Sequence, residues 1–363
     1  MVSARVYYEA SLEALVVDLD GDYEFLSTIP YQPRVANSIV FKRVPEDFQC
    51  SNLRGYYEGV RRELGRMSSI VFLTSAQVED YIYESRRDEK ALIVATLGLK
   101  PPVCPGYESL YRPLSGTINV AVVVDYDLAY SAMADLLRVV AEAKALACSE
   151  LLLRCARRSP GTVTDAIAVG RPTRGEEGIV AAGMATEVGG WVAEVIYRRF
   201  VEVGLRKLSL EGFLENALGL TLDDLANLAI EAYTQAPIPG VDLELVRGRV
   251  RRLLERLLND PNVTSFIVAA RELDLHASSG SIPGLRVEDH ERDSTAIVAD
   301  ELLAFSLSLY IAGFKGLLAT YWVERLKERG SLKVKLPQFE DDVVAALVGS
   351  TLSLLYSELL GGS

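Results

Sequence analysis

Near residue 207 the sequence changes texture, and that break confines the chain to folds in which two differently built regions follow one another. Before it, short segments rich in Val, Ile and Leu (14–19, 38–44, 69–74, 91–97, 117–124 and 164–169) alternate with helical patterns such as 55–65, 131–152 and 187–203. Several of the short segments are almost continuously apolar, as strands covered on both faces are. They predict an α/β or α+β domain with a covered sheet. After the break, residues 222–232, 243–258, 263–276, 295–312, 317–329 and 341–360 all read as helices, with Pro237, Pro239, Pro261, Pro283 and Pro337 between them. Only 332–336 suggests a strand. Two domains are expected, 1–207 and 208–363, the second an all-α bundle whose first helix Ser209 would cap. A length of 363 residues fits this division, at roughly 150 residues per domain.

Charge excludes some partners. The formal net charge is −12 and the pI about 4.9. That argues against sequence-independent nucleic-acid binding and against a polybasic membrane patch. Residues 1–207 hold 24 basic and 27 acidic side chains and the rest of the chain 14 and 23, so most of the excess acid lies in the helical half. No signal peptide is evident and the longest apolar run, 302–314, suits a buried core helix and is short for a bilayer. No stable membrane span and a cytoplasmic location are therefore expected. The chain has seven Asn, five Gln, 29 Arg and 9 Lys, a bias that suits a thermophile. Cys50, Cys104, Cys148 and Cys155 form no CxxC pair and are expected to be buried free thiols. Cys148 and Cys155 are seven apart and could share a helix face, which alone does not make a disulfide.

Both histidines, His276 and His290, lie in the second half. Hydrolysis in the first domain must then use carboxylates, hydroxyls, Lys or thiols. The densest polar run there is Ser159-Pro160-Gly161-Thr162-Val163-Thr164-Asp165, in which Thr162 and Thr164 would face one side of a strand start. It also reads as a plain turn entering a strand. Gly116-Thr117-Ile118-Asn119 opens another strand, where Asn119 would donate to an oxyanion or bond the backbone. On the helix 131–144, Asp135, Arg138 and Glu142 share a face that is either functional or simply solvated, while Lys144 lies about 200° from Glu142.

Gly116–Asn119, Glu142-Ala143-Lys144 and Gly161–Asp165, in this order and spacing, resemble the adenosylcobinamide amidohydrolase family. Leu26-Ser27, Thr74-Ser75-Ala76, residues 95–99, Ala182-Gly183, Thr186 and Gly189 agree with it, so the resemblance covers about residues 10–205. Tyr31-Gln32-Pro33-Arg34 stands in place of a Gly-rich turn, and Ala185 in place of a polar residue, often His. The resemblance implies hydrolysis of the amide between the corrin side chain and aminopropanol, with no cofactor. On it, Glu142 is the expected general base on a water. Asn119, Thr162 and Thr164 would hold the carbonyl oxygen, and Asp165 would orient them. A covalent Thr nucleophile is the competing mechanism. Ser27, Thr74, Lys144 and Thr186 are expected to touch substrate.

In the second domain, residues 295–305 are apolar on nearly every side yet carry Asp300 and Glu301, acids that need a cation or an ion pair if buried. Glu340-Asp341-Asp342 opens the last helix, where acids also serve as caps. Glu272 and Asp274 could add to an oxygen-only site suited to Mg²⁺. Asp274-Leu275-His276 nearly matches a cobalt-ligating His signature, but the spacing to Gly280 is wrong. The pattern Asp300-Glu301-x-x-Ala304, Gly313-Phe314 and residues 339–345 resembles the phosphatidylglycerophosphatase A-like family, whose archaeal relatives include α-ribazole phosphatases. Glu291-Arg292-Asp293 and Glu272-Leu273-Asp274 also fit, over about residues 209–360. The resemblance implies Mg²⁺-dependent phosphomonoester hydrolysis, with Asp300, Glu301, Asp341, Asp342 and Glu272 as ligands and Arg292 holding phosphate. Together the two likenesses point to a bifunctional enzyme of cobalamin salvage, acting on adenosylcobinamide and α-ribazole phosphate. The alternative is a corrinoid-binding or regulatory module with a degenerate site, fused to a phosphatase of other specificity.

Overall fold

The computed structural model describes residues 2–106, 117–173, 178–292, 297–330 and 335–361. Gly116, Asp293 and most of the possible strand at 332–336 lie outside them. The chain divides into two compact units, Met1–Lys207 and Leu208–Ser363.

The first unit is built on an eight-stranded mixed sheet: β1 (Ala4–Glu9), β2 (Ala14–Ser27), β3 (Val35–Arg43), β4 (Ser69–Thr74), β5 (Ile82–Ser85), β6 (Ala91–Leu97), β7 (Ile118–Val124) and β8 (Ala166–Pro172). The order is β4-β3-β2-β8-β7-β6-β5, with β1 also paired to β2. β3–β4 and β7–β8 are parallel and the other pairs antiparallel. Every residue of β6 and β7 is buried, which accounts for their unbroken apolar runs. β2 shifts register between Asp18 and Tyr23. Its first half pairs with β1 and its second half with β8.

The sheet curls strongly. Asn119 Nδ2 on β7 donates to the Leu73 carbonyl on β4 at 3.0 Å, although β3, β2 and β8 lie between them in the sheet order. The curl encloses a cavity between these strands and α1 (Leu53–Glu63), which Asn52 caps through Gly55 N. α2 (Tyr130–Glu150) packs against α3 (Glu187–Lys207) and β8.

The second unit is helical: α4 (Leu210–Ala217), α5 (Leu222–Thr234), α6 (Leu243–Leu258), α7 (Pro261–Ser278), α8 (Val287–Glu291), α9 (Ala299–Glu328) and α10 (Gln338–Leu359). Ser209 caps α4, Thr221 and Asp224 form a reciprocal capping box on α5, and Asp260 with Pro261 starts α7. α10 is the central element. Its residues 343–352 are buried without interruption, against α5, α6, α7 and α9.

From Ala299 to Glu328 the segments read as two helices form one element, α9, which breaks at Gly313 (φ 62°, ψ −151°). The break is sharp. Ser308 Oγ and Thr320 Oγ1 lie 2.6 Å apart, whereas twelve residues of straight helix span about 18 Å. Two tight glycines permit this fold-back against α10. A Cβ on Gly316 would sit 2.7 Å from the Ser308 carbonyl, and one on Gly349 would sit 2.6 Å from Thr320 N.

Two expectations are corrected here. The run 302–314 is not a buried core helix. Ala304, Leu307 and Ser308 face inward, but Leu302 and Phe314 are 60% and 67% exposed, and Leu309 and Tyr310 are also exposed. By length and composition alone, α9 and α10 are apolar enough to cross a membrane, with 22% and 67% of their most apolar stretches buried. The break at Gly313 leaves α9 as two arms, each shorter than the roughly 20 residues a span requires. The cysteines are not all free thiols. Cys104 and Cys155 form a disulfide, Cys148 is a buried thiol that burial pushes up to about 12, and Cys50 is free and half-buried.

Candidate functional site

The cavity of the first unit has a volume of about 610 Å³. Part of its lining is apolar and aromatic, with Phe48, Leu53, Tyr57 and Phe72. Another part carries Thr28, Thr117, Asn119, Thr164 and Asp165. Asp165 is held on all sides. Its Oδ2 accepts from Lys144 Nζ at 2.5 Å and Thr162 N at 3.0 Å, and its Oδ1 from Thr162 Oγ1 at 2.5 Å and Ile118 N at 3.1 Å. Four donors fill the acceptor capacity of a carboxylate, so Asp165 is a fixed anchor with no lone pair left to act as a base. Lys144 Nζ also donates to the Pro160 carbonyl at 2.7 Å. Gly161 is required here, because a Cβ would lie 2.0 Å from Asp165 Oδ2 and 2.3 Å from Lys144 Nζ.

That anchor presents two kinds of polar atom to the cavity. Thr117 Oγ1 and Thr164 Oγ1 form a hydroxyl pair at 3.2 Å. Asn119 is fully buried, and because Nδ2 is committed to Leu73 O its orientation is fixed. Its Oδ1 has no hydrogen-bond partner. A buried acceptor left unpaired costs about 1–3 kcal/mol, so a donor belonging to a ligand is the natural partner.

In the second unit, two groups of three carboxylates each have oxygens within 4.8 Å of one another: Asp300, Glu301 and Asp342, and Glu324, Asp341 and Asp342. Asp342 is shared. Lys327 Nζ lies 2.5 Å from Asp341 Oδ2 and 2.9 Å from Glu324 Oε1. Gln338 is buried and its Nε2 donates to Asp300 Oδ2 at 2.5 Å, while its Oε1 has no partner. Burial, reinforced by Glu324 and Asp300, pushes Asp342 up to about 8. Burial would lower the Lys327 pKa, but Asp341 and Glu324 outweigh it and raise it. The donors are all oxygens and in excess of positive charge, which fits Mg²⁺ or a similar hard cation.

Residues 1–210 match the family model described as adenosylcobinamide amidohydrolase. The chain belongs to the adenosylcobinamide amidohydrolase family. An uncharacterized protein of Methanocaldococcus jannaschii is 25% identical over 113 residues, covering 31% of this chain and 86% of that protein. Among solved structures, the low temperature requirement C protein of Listeria monocytogenes is 22% identical, covering 42% of this chain and 94% of its own, with a TM-score of 0.33. Protein ypjQ of Bacillus subtilis is 21% identical, covering 40% and 89%, with a TM-score of 0.32.

In this member of the family, the structure separates the residues expected to act together. Asn119, Thr164 and Asp165 line the cavity. Thr162 is buried and donates its hydroxyl to Asp165, so it cannot also hold a substrate carbonyl. Asn119 bonds the backbone, one of its two expected roles, which spends its donor on Leu73 O and leaves an acceptor where a donor to the carbonyl oxygen was expected. Glu142 does not join the site. It points away from Lys144, is 42% exposed and pairs with Arg138 at 2.8 Å. Arg138 also pairs with Asp135, whose Oδ2 accepts from Ala182 N. Lys144 is at the site as the partner of Asp165, behind the cavity wall.

Ser27 accepts from Ile29 N and fully buried Thr74 from Ala76 N, so both shape turns, and their neighbours Thr28 and Leu73 face the cavity. Thr186 bonds Gly183 O and Gly189 N at the start of α3. The Tyr31–Arg34 turn is fixed by a side chain: Gln32 Oε1 accepts from Arg61 Nη2 and Val71 N.

In the second unit Glu272 belongs to neither triad and sits 4.0 Å from His276. Arg292 is exposed beyond α8, with no contact to the triads among the described residues. Asp274 caps α10 through Phe339 N and Glu340 N and bonds His290, and Glu340 pairs with Arg271 in the core. Glu324 and Lys327 were not anticipated, because only the fold-back at Gly313 brings the second arm of α9 to the first, and Gln338 enters with the first turn of α10.

Proposed function

We propose that the first unit hydrolyses the amide joining the corrin side chain of adenosylcobinamide to aminopropanol, releasing adenosylcobyric acid. One observation carries this reading: Asn119, with its orphaned Oδ1, and the Thr117/Thr164 hydroxyl pair line one cavity within the matched region. A secondary amide has an N–H for the first and a carbonyl for the second. In this reading Asn119 Oδ1 accepts the scissile N–H. Thr164 Oγ attacks the carbonyl carbon, and Thr117 donates to the carbonyl oxygen. The C–N bond breaks, the hydroxyl proton leaves with the amine, and water then cleaves the Thr ester to the acid. Asp165, locked by Lys144 and Thr162, sets the position of the Thr164 backbone. The test is aminopropanol release from adenosylcobinamide by Thr164→Ala and Asn119→Leu, with mass spectrometry for an acyl-Thr164 species. Binding of cobinamide by the unaltered chain without release would select the alternative of a corrinoid-binding module.

A second reading concerns the helical unit and rests on the two carboxylate triads. We propose a Mg²⁺-dependent phosphomonoesterase acting on α-ribazole phosphate, which would complement the first activity. Asp300, Glu301 and Asp342 would hold the ion, which supplies Lewis-acid stabilisation of a phosphoryl oxygen. Phosphate release from α-ribazole phosphate, with and without Mg²⁺, tests it. Release from phosphatidylglycerophosphate alone would assign a lipid substrate instead.

A further inference from the structure

The two carboxylate triads look like a site for two metal ions bridged by Asp342, but they are not equivalent. Gln338, a residue 94% buried, ties its Nε2 to Asp300 of the triad of Asp300, Glu301 and Asp342, and its amide oxygen has no partner. A neutral oxygen together with acids is a ligand set that hard cations use. The triad of Glu324, Asp341 and Asp342 already contains a cation. Lys327 Nζ lies between Asp341 and Glu324 at 2.5 and 2.9 Å, on a side chain only 16% exposed.

We propose that Lys327 is the resident cation of the second triad, so that the basin takes a single divalent ion at Asp300, Glu301 and Asp342, with Gln338 Oε1 as a further ligand. This rests on the reading of the basin as a cation site and deepens it. The ammonium and the divalent ion would stand on either side of Asp342, one covalent and one bound. A phosphomonoester dianion would meet two positive centres, as it does in a two-metal enzyme, while only one metal is needed. Physical chemistry favours the division: a divalent ion entering the second triad would have to displace or closely approach a buried ammonium, and like charges at contact distance in a partly dry site repel strongly.

The test is the number of ions bound per chain, measured on the full-length protein by calorimetric titration with Mg²⁺ and with Mn²⁺ and by elemental analysis after desalting. The unaltered chain is expected to bind one ion. Lys327→Met, or Lys327→Gln if the first variant does not fold, is expected to bind two. Lys327→Arg should keep one. Gln338→Leu, which removes the neutral ligand, should weaken that ion at least tenfold, and Glu324→Gln should leave its affinity within about threefold. Two ions in the unaltered chain, or one in both Lys327→Met and Lys327→Gln, would overturn the proposal. No ion in the unaltered chain would instead overturn the reading of the basin on which it rests.

Discussion

The cavity and the acidic basin handle buried charge in opposite ways. In the cavity, Lys144 and Asp165 neutralise one another, and Thr162 and two backbone N–H groups complete the carboxylate. Apart from that pair, the cavity offers a ligand hydroxyl, amide and thiol groups: Thr117, Thr164, Ser51, Asn119, Gln49 and Cys50. In the basin, five carboxylates gather within the described residues, and Lys327 pairs with two of them. The first arrangement is finished without an ion and suits chemistry on a neutral amide. The second, on the proposed reading, would take an ion and with it a phosphate, which a cation must escort past the acids.

The comparison breaks most severely if the neutral pair is halved. Lys144→Met leaves Asp165 buried and charged, and loss of one member of a buried pair costs about 3–5 kcal/mol. The melting transition of the first unit should fall by roughly 6–20 °C in calorimetry, at about 2–4 °C per kcal/mol for a unit of this size. Lys144→Met with Asp165→Asn should recover part of that loss. If the double variant melts below the single one, the pair is not a mutual neutralisation.

Addition of Mg²⁺ should sharpen the contrast. At about 100 times the dissociation constant a native-state ligand adds about 2.7 kcal/mol. The helical unit should therefore melt roughly 5–10 °C higher, and the first unit should not move. Asp300→Asn should abolish the shift. An equal shift in that variant would place the ion elsewhere.

The pH dependence of the metal-free protein carries a smaller effect. Asp342, pushed up to about 8 by burial first and by Glu324 and Asp300 next, binds a proton in the folded state that it releases on unfolding between about pH 4 and 8. Its contribution therefore makes stability fall as pH rises through that window. In excess chelator, Asp342→Asn should flatten that slope and raise the melting temperature at pH 8. A variant less stable at pH 8 than the parent would contradict the assigned direction.

These contrasts were only partly legible in the sequence. The continuous runs of β6 and β7 and the span of α6 could be read directly, because their periods match their surroundings. β1, with alternating exposure, and the four-residue edge strand β5 carry too little pattern to read. Helical geometry placed Glu142 and Lys144 on opposite faces, but only the position of Asp165 decides which face is buried. Of the motif around 161–165, Thr164 and Asp165 line the cavity, while the hydrogen bonds give Thr162 and Asp165 tasks other than those expected. Asn119 changes from donor to acceptor because the curled sheet offers it the Leu73 carbonyl. Glu324 was invisible for the same kind of reason, since it reaches Asp342 only through the break at Gly313.

The smallest effect belongs to Glu142, and it bears on the central claim that the amide chemistry lies in the cavity and not on the outer face of α2. Aminopropanol release from adenosylcobinamide should be compared in Thr164→Ala and Glu142→Gln, with folding of both verified by calorimetry. A loss of about a thousandfold or more is expected for Thr164→Ala, the scale of removing a principal catalytic group. Glu142→Gln should stay within about twofold of the parent. An inactive Glu142→Gln beside an active Thr164→Ala would contradict the account.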